Sequence, residues 1–270
     1  MSAVPSAGQG APADAPVLAS RNGGVLTLTL NRPAQFNALS SELMSALQVE
    51  LERAAADPAV RVVVIAAAGK AFCAGHDLRE MRAQPSLDYY QKLFAQCSRM
   101  MMTIQRMPQP VIARVHGIAT AAGCQLVSMC DLAVAADVAR FAVSGINVGL
   151  FCATPSVGLS RNMGRKEAFE MLVTGDFIDA PEAQRRGLVN RVVPLEELDA
   201  EVGKLAAAIV AKSPMAIQMG KQMFYKQLEM GLDAAYQMAA ETMACNMMTE
   251  DAAEGIDAFI AKRKPEWRGR

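Results

Sequence analysis

The most restrictive feature of this sequence is the apolar run within residues 61–69, RVVVIAAAG. The run is short, rich in β-branched residues and ended by glycine, which favours a strand over a helix. No polar residue alternates with the apolar ones, so neither face of this strand suits exposure to water. We therefore expect a buried strand. The 270 residues, 52% of them hydrophobic, supply ample material for the core around it.

Strand and helix patterns alternate through the first two thirds of the chain. Residues 25–33, VLTLTLNRP, alternate with period two and stop at Asn-Arg-Pro, which predicts a half-exposed strand. Asn37 or Ser40 can cap the helix that follows. Alternation of this kind is typical of an α/β layered core. Further strands are predicted at 110–117, 131–137 and 140–143, and helices at about 86–106, 122–130, 156–163 and 165–173.

The pattern changes after residue 195. Residues 196–264 show helical periodicity with many Met and Ala residues and no convincing strand, as in a helical core or a subunit interface. We therefore divide the chain into a leader at 1–16, an α/β core at 17–195 and a helical oligomerisation region at 196–270. The leader is rich in Ala, Pro and Gly and lacks the basic residues of a secretory signal or transit peptide, which predicts disorder.

Charge and cysteine content exclude several kinds of partner. Lys and Arg together number 27, as do Asp and Glu, so no basic surface is expected for nucleic acid or an anionic membrane. No uninterrupted apolar stretch reaches about eighteen residues, the length that crosses a bilayer. Six cysteines without a C-x-x-C pair indicate reduced thiols. We expect a cytoplasmic protein that binds a small or medium polar ligand and no metal.

Two glycine-bounded turns are the first candidates for a functional site. The tight turn at Gly75 can leave the amide of His76 without a sheet partner. Ala122 lies at a helix start, where amides have no intrahelical acceptor. Two such amides can form an oxyanion hole, although a strand-glycine-helix junction can equally be a simple turn. The two stretches are GKAFCAGHDLREM at 69–81 and VHGIATAAGCQL at 115–126.

Several blocks of the chain, taken in order, resemble the enoyl-CoA hydratase/isomerase, or crotonase, superfamily. The blocks are LNRPAQFNALS, GKAFCAGHDLREM, HGIATAAGCQLVSMCDLAVA, MLVTGDFIDAPEAQRRGLVNRVV and EDAAEGIDAFIAKRKPEW. The resemblance runs from about residue 17 to the end. It implies an α/β fold built as a spiral of ββα units, a helical C-terminal trimerisation region, and coenzyme A thioesters as substrates. Coenzyme A would arrive as part of the substrate, so no other cofactor is expected.

The resemblance also assigns residues to substrate binding. The amides of His76 and Ala122 become the donors that hold the thioester oxygen. Phe259 becomes a contact for the adenine end of coenzyme A. Arg32 and the basic cluster Lys262, Arg263 and Lys264 become candidate contacts for its phosphates, although a basic cluster at a helix end also complements the helix dipole. The other residues of the predicted binding site are Ala74, Gly75, Asp77, Leu78 and Gly123. The expected assembly is a homotrimer or a dimer of trimers.

Two positions limit the reaction. Hydration of an enoyl thioester needs one group to take a proton from water and another to protonate the α-carbon, roles that the family's hydratases give to two glutamates. By the resemblance, Gln125 and Gly145 stand at those positions. A neutral amide does not exchange protons near neutral pH, and glycine offers only its backbone. Since each acid or base contributes about 10²- to 10⁴-fold, we expect weak hydration.

Stabilisation of a thioester enolate remains possible without these glutamates. It suits reactions whose substrate brings its own leaving group, such as decarboxylation of a malonyl-type thioester. The same residues would also suit a thioester hydrolase or a non-catalytic acyl-CoA-binding trimer. Gln125, Ser144 and Asn147 can orient a carboxylate or a water, or can be satisfied structural groups. The His76 ring either faces the pocket or points outward. Convergence of these four side chains beside the two amides would favour catalysis.

Overall fold

The computed structural model describes residues 14–83 and 85–270. Residues 1–13, most of the predicted leader, lie outside this range. The strands are β1 (Val17–Asn22), β2 (Val25–Leu30), β3 (Val62–Ala67), β4 (Ala71–Cys73), β5 (Val111–Val115), β6 (Ile118–Thr120), β7 (Leu132–Ala136), β8 (Arg140–Ala142), β9 (Ile178–Asp179) and β10 (Arg191–Val193). The helices are α1 (Ser41–Ala56), α2 (Leu78–Ala83), α3 (Leu87–Arg106), α4 (Ala122–Met129), α5 (Ala153–Asn162), α6 (Arg165–Thr174), α7 (Ala180–Arg185), α8 (Leu198–Val210), α9 (Pro214–Gln227), α10 (Leu232–Met247) and α11 (Glu250–Ile260).

The strands form two sheets. The larger has the order β1-β2-β3-β5-β7-β10, with β1 antiparallel to β2 and the other neighbours parallel. The smaller has the order β4-β6-β8-β9 and is parallel except for β9. β3, β5 and β7 lie in the larger sheet, and the strand after each lies in the smaller one before the chain enters a helix. The predicted α/β spiral of ββα units is confirmed.

Strand β3 has the buried position that its apolar run predicts. All six of its residues are buried. Val63 and Ile65 belong to the main core, which includes the buried face of α1. Val62 and Val64 point to the other side of the sheet, where they form a second core with Leu198 and other residues of α8. The strand lacks polar alternation because helices cover both of its faces.

Each strand and helix predicted for the α/β core is present, with small differences at the ends. The prediction missed β1, β4, β6, β9 and β10. Of these, β4, β6, β9 and β10 are only two or three residues long, so their sequences are too short to show a period. Their pairing partners lie far away in sequence, which no local pattern reveals.

The start of α1 resolves the choice between two capping residues. Ser40 is the cap, and its side chain accepts a hydrogen bond from Leu43 N at 3.1 Å. Asn37 is fully buried and has a left-handed backbone, with φ of 54°. Its Nδ2 donates to the carbonyls of Ala68 and Ala71 at 2.8 and 2.9 Å. Asn37 therefore ties the loop after β2 to the segment that leads into β4.

The secondary-structure elements described after residue 195 are all helices. Helix α8 packs on the larger sheet and so contributes to the core of the same unit. The division at residue 195 stays a prediction. No helix in residues 14–83 and 85–270 is long and apolar enough to cross a membrane. Helices α9 to α11 leave large apolar side chains exposed, among them Phe224, Leu232, Tyr236, Met243 and Phe259.

A buried ion pair fixes α9 to the core. Lys221 Nζ lies 2.7 Å from Asp131 Oδ2, and the two side chains are only 6% and 11% exposed. Lys221 also donates to the carbonyls of Ile104 and Gln109, each at 2.8 Å. The Tyr225 hydroxyl donates to Asp131 Oδ1 at 2.7 Å. Asp131 has the sequence position of a strand-start cap or turn residue, but in the structure it is the anion at the centre of this network.

Candidate active site

The turn between β4 and α2 leaves the amide of His76 free. Gly75 has φ of 92°, in the left-handed region that favours glycine. Its carbonyl accepts a hydrogen bond from Leu39 N at 2.7 Å, and Asp77 N donates to Leu39 O at 3.3 Å. The His76 N–H lies between these two bonds and donates to no acceptor in the described part of the chain. It is therefore available to a ligand.

The start of α4 supplies a second free amide. Ala121, just before the helix, has φ of 50°, which is rare for alanine, and donates its amide to Ala142 O at 3.0 Å. Ala122 is the first helical residue, and its N–H finds no acceptor among residues 14–83 and 85–270. The positive end of the α4 dipole lies here, so a ligand oxygen with negative charge is favoured.

The two turns lie side by side because two glycines allow close contact. A methyl group at Gly75 would lie only 3.2 Å from the Ala122 nitrogen. At Gly123, a methyl group would overlap the carbonyl oxygen of Cys73, so only glycine lets α4 approach β4 this closely. The structure thus brings the two predicted amides to one place.

A cavity of about 370 Å³ opens beside these amides, and we call it the His76 cavity. Its volume lies in the range of roughly 300 to 1,000 Å³ that is usual for ligand pockets. No Lys, Arg, Asp or Glu from the described residues lines it. Of the predicted site residues, it is lined by Ala74, His76, Leu78, Ala122, Ser144 and Gly145. The rest of its wall is mostly apolar and consists of Met81, Phe94, Ala121, Val148, Leu150, Phe151, Cys152, Ala153, Thr154 and Pro155.

His76 is part of the cavity wall, and its ring is buried and does not point outward into solvent. Both ring nitrogens are buried and have no hydrogen-bond partner among the described residues. The ring makes an edge contact with Phe94, with the ring centroids 5.5 Å apart. Burial lowers the pKa of His76, against smaller opposing effects from the Leu39 backbone and the Glu80 carboxylate. The ring is therefore neutral near neutral pH, with one donor and one acceptor nitrogen unpaired.

Ser144 brings a hydroxyl group to the same cavity. Its Oγ lies 2.7 Å from the Oγ1 of Thr120, the last residue of β6, so the two hydroxyls share a hydrogen bond. The sequence predicted a role for Ser144 but none for Thr120. The signal for Thr120 was weak, because the pairing of β6 with β8 that brings the two residues together is not visible in the local sequence.

Gln125 and Asn147 lie outside the cavity wall. Gln125 follows Ala122 by one turn on the same side of α4 and is buried. Its Oε1 has no partner in the described chain. Asn147 is exposed, and its side chain lies beside Gly175 at the end of α6. Of the four side chains expected to converge, the structure therefore brings His76 and Ser144 together at the cavity.

Gly145 sits where little room is left for a side chain. A methyl group there would lie 2.7 Å from both the Leu150 carbonyl oxygen and the Cys152 sulfur. Cys152 lines the cavity, and its thiol donates weakly to Val143 O at 3.5 Å. Burial raises the pKa of this thiol, so it is protonated and a poor nucleophile near neutral pH.

Arg32 and Asp77 are paired with each other beside the cavity. The Arg32 guanidinium donates to Ala38 O at 3.0 Å and forms an ion pair with Asp77 Oδ2 at 3.3 Å. Asp77 Oδ1 accepts from the Glu80 amide at 3.3 Å and so caps α2. The two acids fit the sequence pattern of a capping box, but the Glu80 carboxylate instead accepts from Ser41 N. The contact of Arg32 with coenzyme A stays a prediction.

Phe259 and Lys262 lie at the end of α11 and do not line the His76 cavity. Phe259 is 84% exposed. Lys262 is exposed and has φ of 54°, just after the helix ends. Their contacts with coenzyme A stay predictions. Within the described residues, no group of three His, Cys, Asp or Glu side chains is placed to hold a metal ion.

Residues 20–270 match the model of the Enoyl-CoA hydratase/isomerase family. The chain belongs to this family and has the fold of its solved members.

Individual relatives agree with this assignment. A solved structure of an enoyl-CoA hydratase from Mycobacterium smegmatis is 62% identical, covers 93% of this chain and 98% of that one, and superposes with a TM-score of 0.92. The mitochondrial enoyl-CoA hydratase domain-containing protein 3 of Xenopus laevis is 46% identical over 90% of this chain and 83% of its own length. The 2,3-dehydroadipyl-CoA hydratase of Escherichia coli is 37% identical over 94% of this chain and 99% of its own length.

Proposed function

We propose that this protein acts on acyl-CoA thioesters and that the amides of His76 and Ala122 together hold the thioester oxygen. The observation that carries the proposal is the pair of unpartnered amides on adjoining turns, beside a mostly apolar cavity. A thioester oxygen there accepts two hydrogen bonds, which strengthen as the oxygen becomes negative in an enolate. One well-placed donor of this kind stabilises a transition state by roughly 3 to 4 kcal/mol.

Ordinary hydration is expected to be slow. It needs an acid and a base, and the cavity wall in the described chain carries no carboxylate. His76 and Cys152 are its titratable side chains, and burial keeps the first neutral and the second protonated. We infer that Gln125 and Gly145 replace the two glutamates of the family's hydratases.

Decarboxylation of a malonyl-type thioester is the reaction that fits the cavity best. Cleavage of the carbon–carbon bond leaves the electron pair on the α-carbon as an enolate, and the carboxylate departs as neutral carbon dioxide without an enzymic base. A water molecule then protonates the α-carbon and gives the product thioester. An apolar wall disfavours the charged carboxylate relative to that neutral product. The Ser144 hydroxyl can orient the carboxylate before it leaves. Thioester hydrolysis would instead require His76 to activate water.

A panel of thioesters tests the reaction. Crotonyl-, longer enoyl-, malonyl-, methylmalonyl- and hydroxyacyl-CoA are incubated separately with pure protein, and the products are identified by mass spectrometry. We expect loss of carbon dioxide from a malonyl-type thioester and little hydration of crotonyl-CoA. Binding of thioesters without any product would instead support the non-catalytic acyl-CoA-binding trimer. Release of free coenzyme A would support the hydrolase.

We also propose that the exposed apolar side chains of α9 to α11 form the contacts of a homotrimer or a dimer of trimers. Side chains such as Leu232 and Tyr236, 73% and 71% exposed, gain most from burial against a second subunit. In such an assembly, Phe259 and Lys262 can reach coenzyme A bound to a neighbour.

Cytoplasmic localisation is part of the same proposal. The vertebrate relatives are named as mitochondrial proteins, so the location of this chain needs its own measurement. Fractionation of the source cells, with the protein detected by antibody, would test it directly.

A further inference from the structure

A second hollow lies between α5 and α6, and we call it the α5–α6 groove. Its volume is about 650 Å³. Ser156 and Ser160 of α5 and Phe169, Leu172 and Val173 of α6 contribute to its wall. Three charged residues of α6 also line it, namely Arg165, Lys166 and Glu170. The groove is larger than the His76 cavity and plays no part in the proposed chemistry.

One side chain, Phe151, lines both the groove and the His76 cavity. Phe151 lies in the short segment between the 3-10 helix Ser144–Val148 and α5. Its side chain is 48% exposed. A half-exposed phenyl ring shared by two hollows can change rotamer with little disturbance of the core, because core packing does not enclose it.

Large apolar side chains line the groove together with Phe151 and give it an apolar surface. Among them, Phe169 and Val173 are 59% and 45% exposed. Surfaces of this kind on soluble proteins usually mark a binding site. An occupant that reaches the surface from the His76 cavity must itself be apolar and narrow.

We infer that the α5–α6 groove continues the acyl-binding space and that Phe151 sets the length of acyl chain the protein prefers. Short acyl groups end against the ring, within the His76 cavity. Longer chains pass the ring and lie against Phe169, Leu172 and Val173. This inference rests on the proposed function, since it requires the thioester to be held at the His76 and Ala122 amides.

The test measures binding of saturated acyl-CoA molecules by isothermal titration calorimetry. Butanoyl-, octanoyl- and dodecanoyl-CoA are titrated into the native protein, Phe151→Ala and the control Leu195→Ala. Leu195 is 45% exposed, lines neither hollow and lies outside α9 to α11. Phe151→Ala should raise the affinity for dodecanoyl-CoA relative to butanoyl-CoA by about fourfold for each methylene group that newly enters the groove. The control should leave that ratio unchanged.

A second variant tests whether the longer acyl chain enters the α5–α6 groove. Val173→Glu, added to Phe151→Ala, places a carboxylate in the groove and should abolish the gain for dodecanoyl-CoA. Two results would overturn the inference, provided that butanoyl-CoA still binds. The first is a gain in dodecanoyl-CoA affinity that persists in the double variant. The second is a ratio of dodecanoyl-CoA to butanoyl-CoA affinity in Phe151→Ala that equals the ratio in the control. If the native protein binds none of the three thioesters, the proposed function fails as well.

Discussion

Replacing Lys221 with methionine measures how strongly the C-terminal helices depend on the buried ion pair. Methionine has a similar length but no charge, so the carbonyls of Ile104 and Gln109 lose their donor. Among the described residues, the partners left to Asp131 are the Tyr225 hydroxyl and the Val111 amide. Removing one member of a buried pair leaves the other charge unpaired, which costs about 3 to 5 kcal/mol. We expect a loss of that size in the free energy of unfolding.

The loss should depend on pH. Burial raises the pKa of Asp131 even beside Lys221, and removal of the ammonium group raises it further. A carboxyl group whose pKa is higher in the folded chain binds more protons there than in the unfolded chain. Lowering the pH through the raised pKa of Asp131 therefore stabilises the folded variant relative to the unfolded one. The difference between native protein and Lys221→Met should be largest near pH 7 and should shrink as the pH falls through the raised pKa of Asp131 toward the ordinary value of 3.8.

Urea unfolding at equal protomer concentration provides the measurement, because association would otherwise shift the midpoint. The control is Lys226→Met, an exposed lysine on the same helix, which should change the free energy of unfolding by less than about 0.5 kcal/mol. A loss below about 1 kcal/mol in Lys221→Met would refute the reasoning, as would a loss that grows toward acid pH.

Three further predictions concern the site and the assembly. For a thioester that the protein converts, kcat/KM should fall as the pH drops through the lowered pKa of His76, since the ring then gains a charge. The His76→Gln variant should lack this fall. Identical pH profiles of kcat/KM for the native protein and the variant would show that the ring is not the titrating group. Gly145→Glu combined with Gln125→Glu should not restore crotonyl-CoA hydration and should destabilise the fold by about 1 to 3 kcal/mol, because Leu150 O leaves no room; robust hydration by that variant would be contrary evidence. Sedimentation velocity should show a trimer or its dimer, and a stable monomer at micromolar concentration would contradict the proposed interface.

The fold was predictable where the sequence carries a hydrophobic pattern over enough residues. The period-two alternation in β2 and the continuous apolar run in β3 are local signals that tertiary packing then reinforces. Strands β4 and β6 have no such signal, since each is three residues long and is defined by its neighbour in the smaller sheet.

The site was predictable in its backbone and less so in its side chains. The glycines of the stretches at 69–81 and 115–126 indicated two tight turns. The structure shows that Gly75 and Gly123 are the glycines that permit close backbone approach there. The buried His76 ring packs against Phe94 of α3, a contact that sequence spacing does not reveal. The sequence position of Asp131 suggests a cap or turn residue and does not reveal its ion pair, because its partner Lys221 lies on α9, far away in sequence.

The most direct test of the proposed oxyanion site is the infrared carbonyl stretch of butanoyl-CoA labelled with carbon-13 at the thioester. Two hydrogen bonds from the His76 and Ala122 amides should shift this band to lower frequency on binding to the native protein. Ala122→Pro removes one donor at a helix position that tolerates proline, so the shift should shrink, and turnover should fall by about 10²- to 10³-fold. Circular dichroism confirms that the variant is folded. An unshifted band in the native complex would contradict the account.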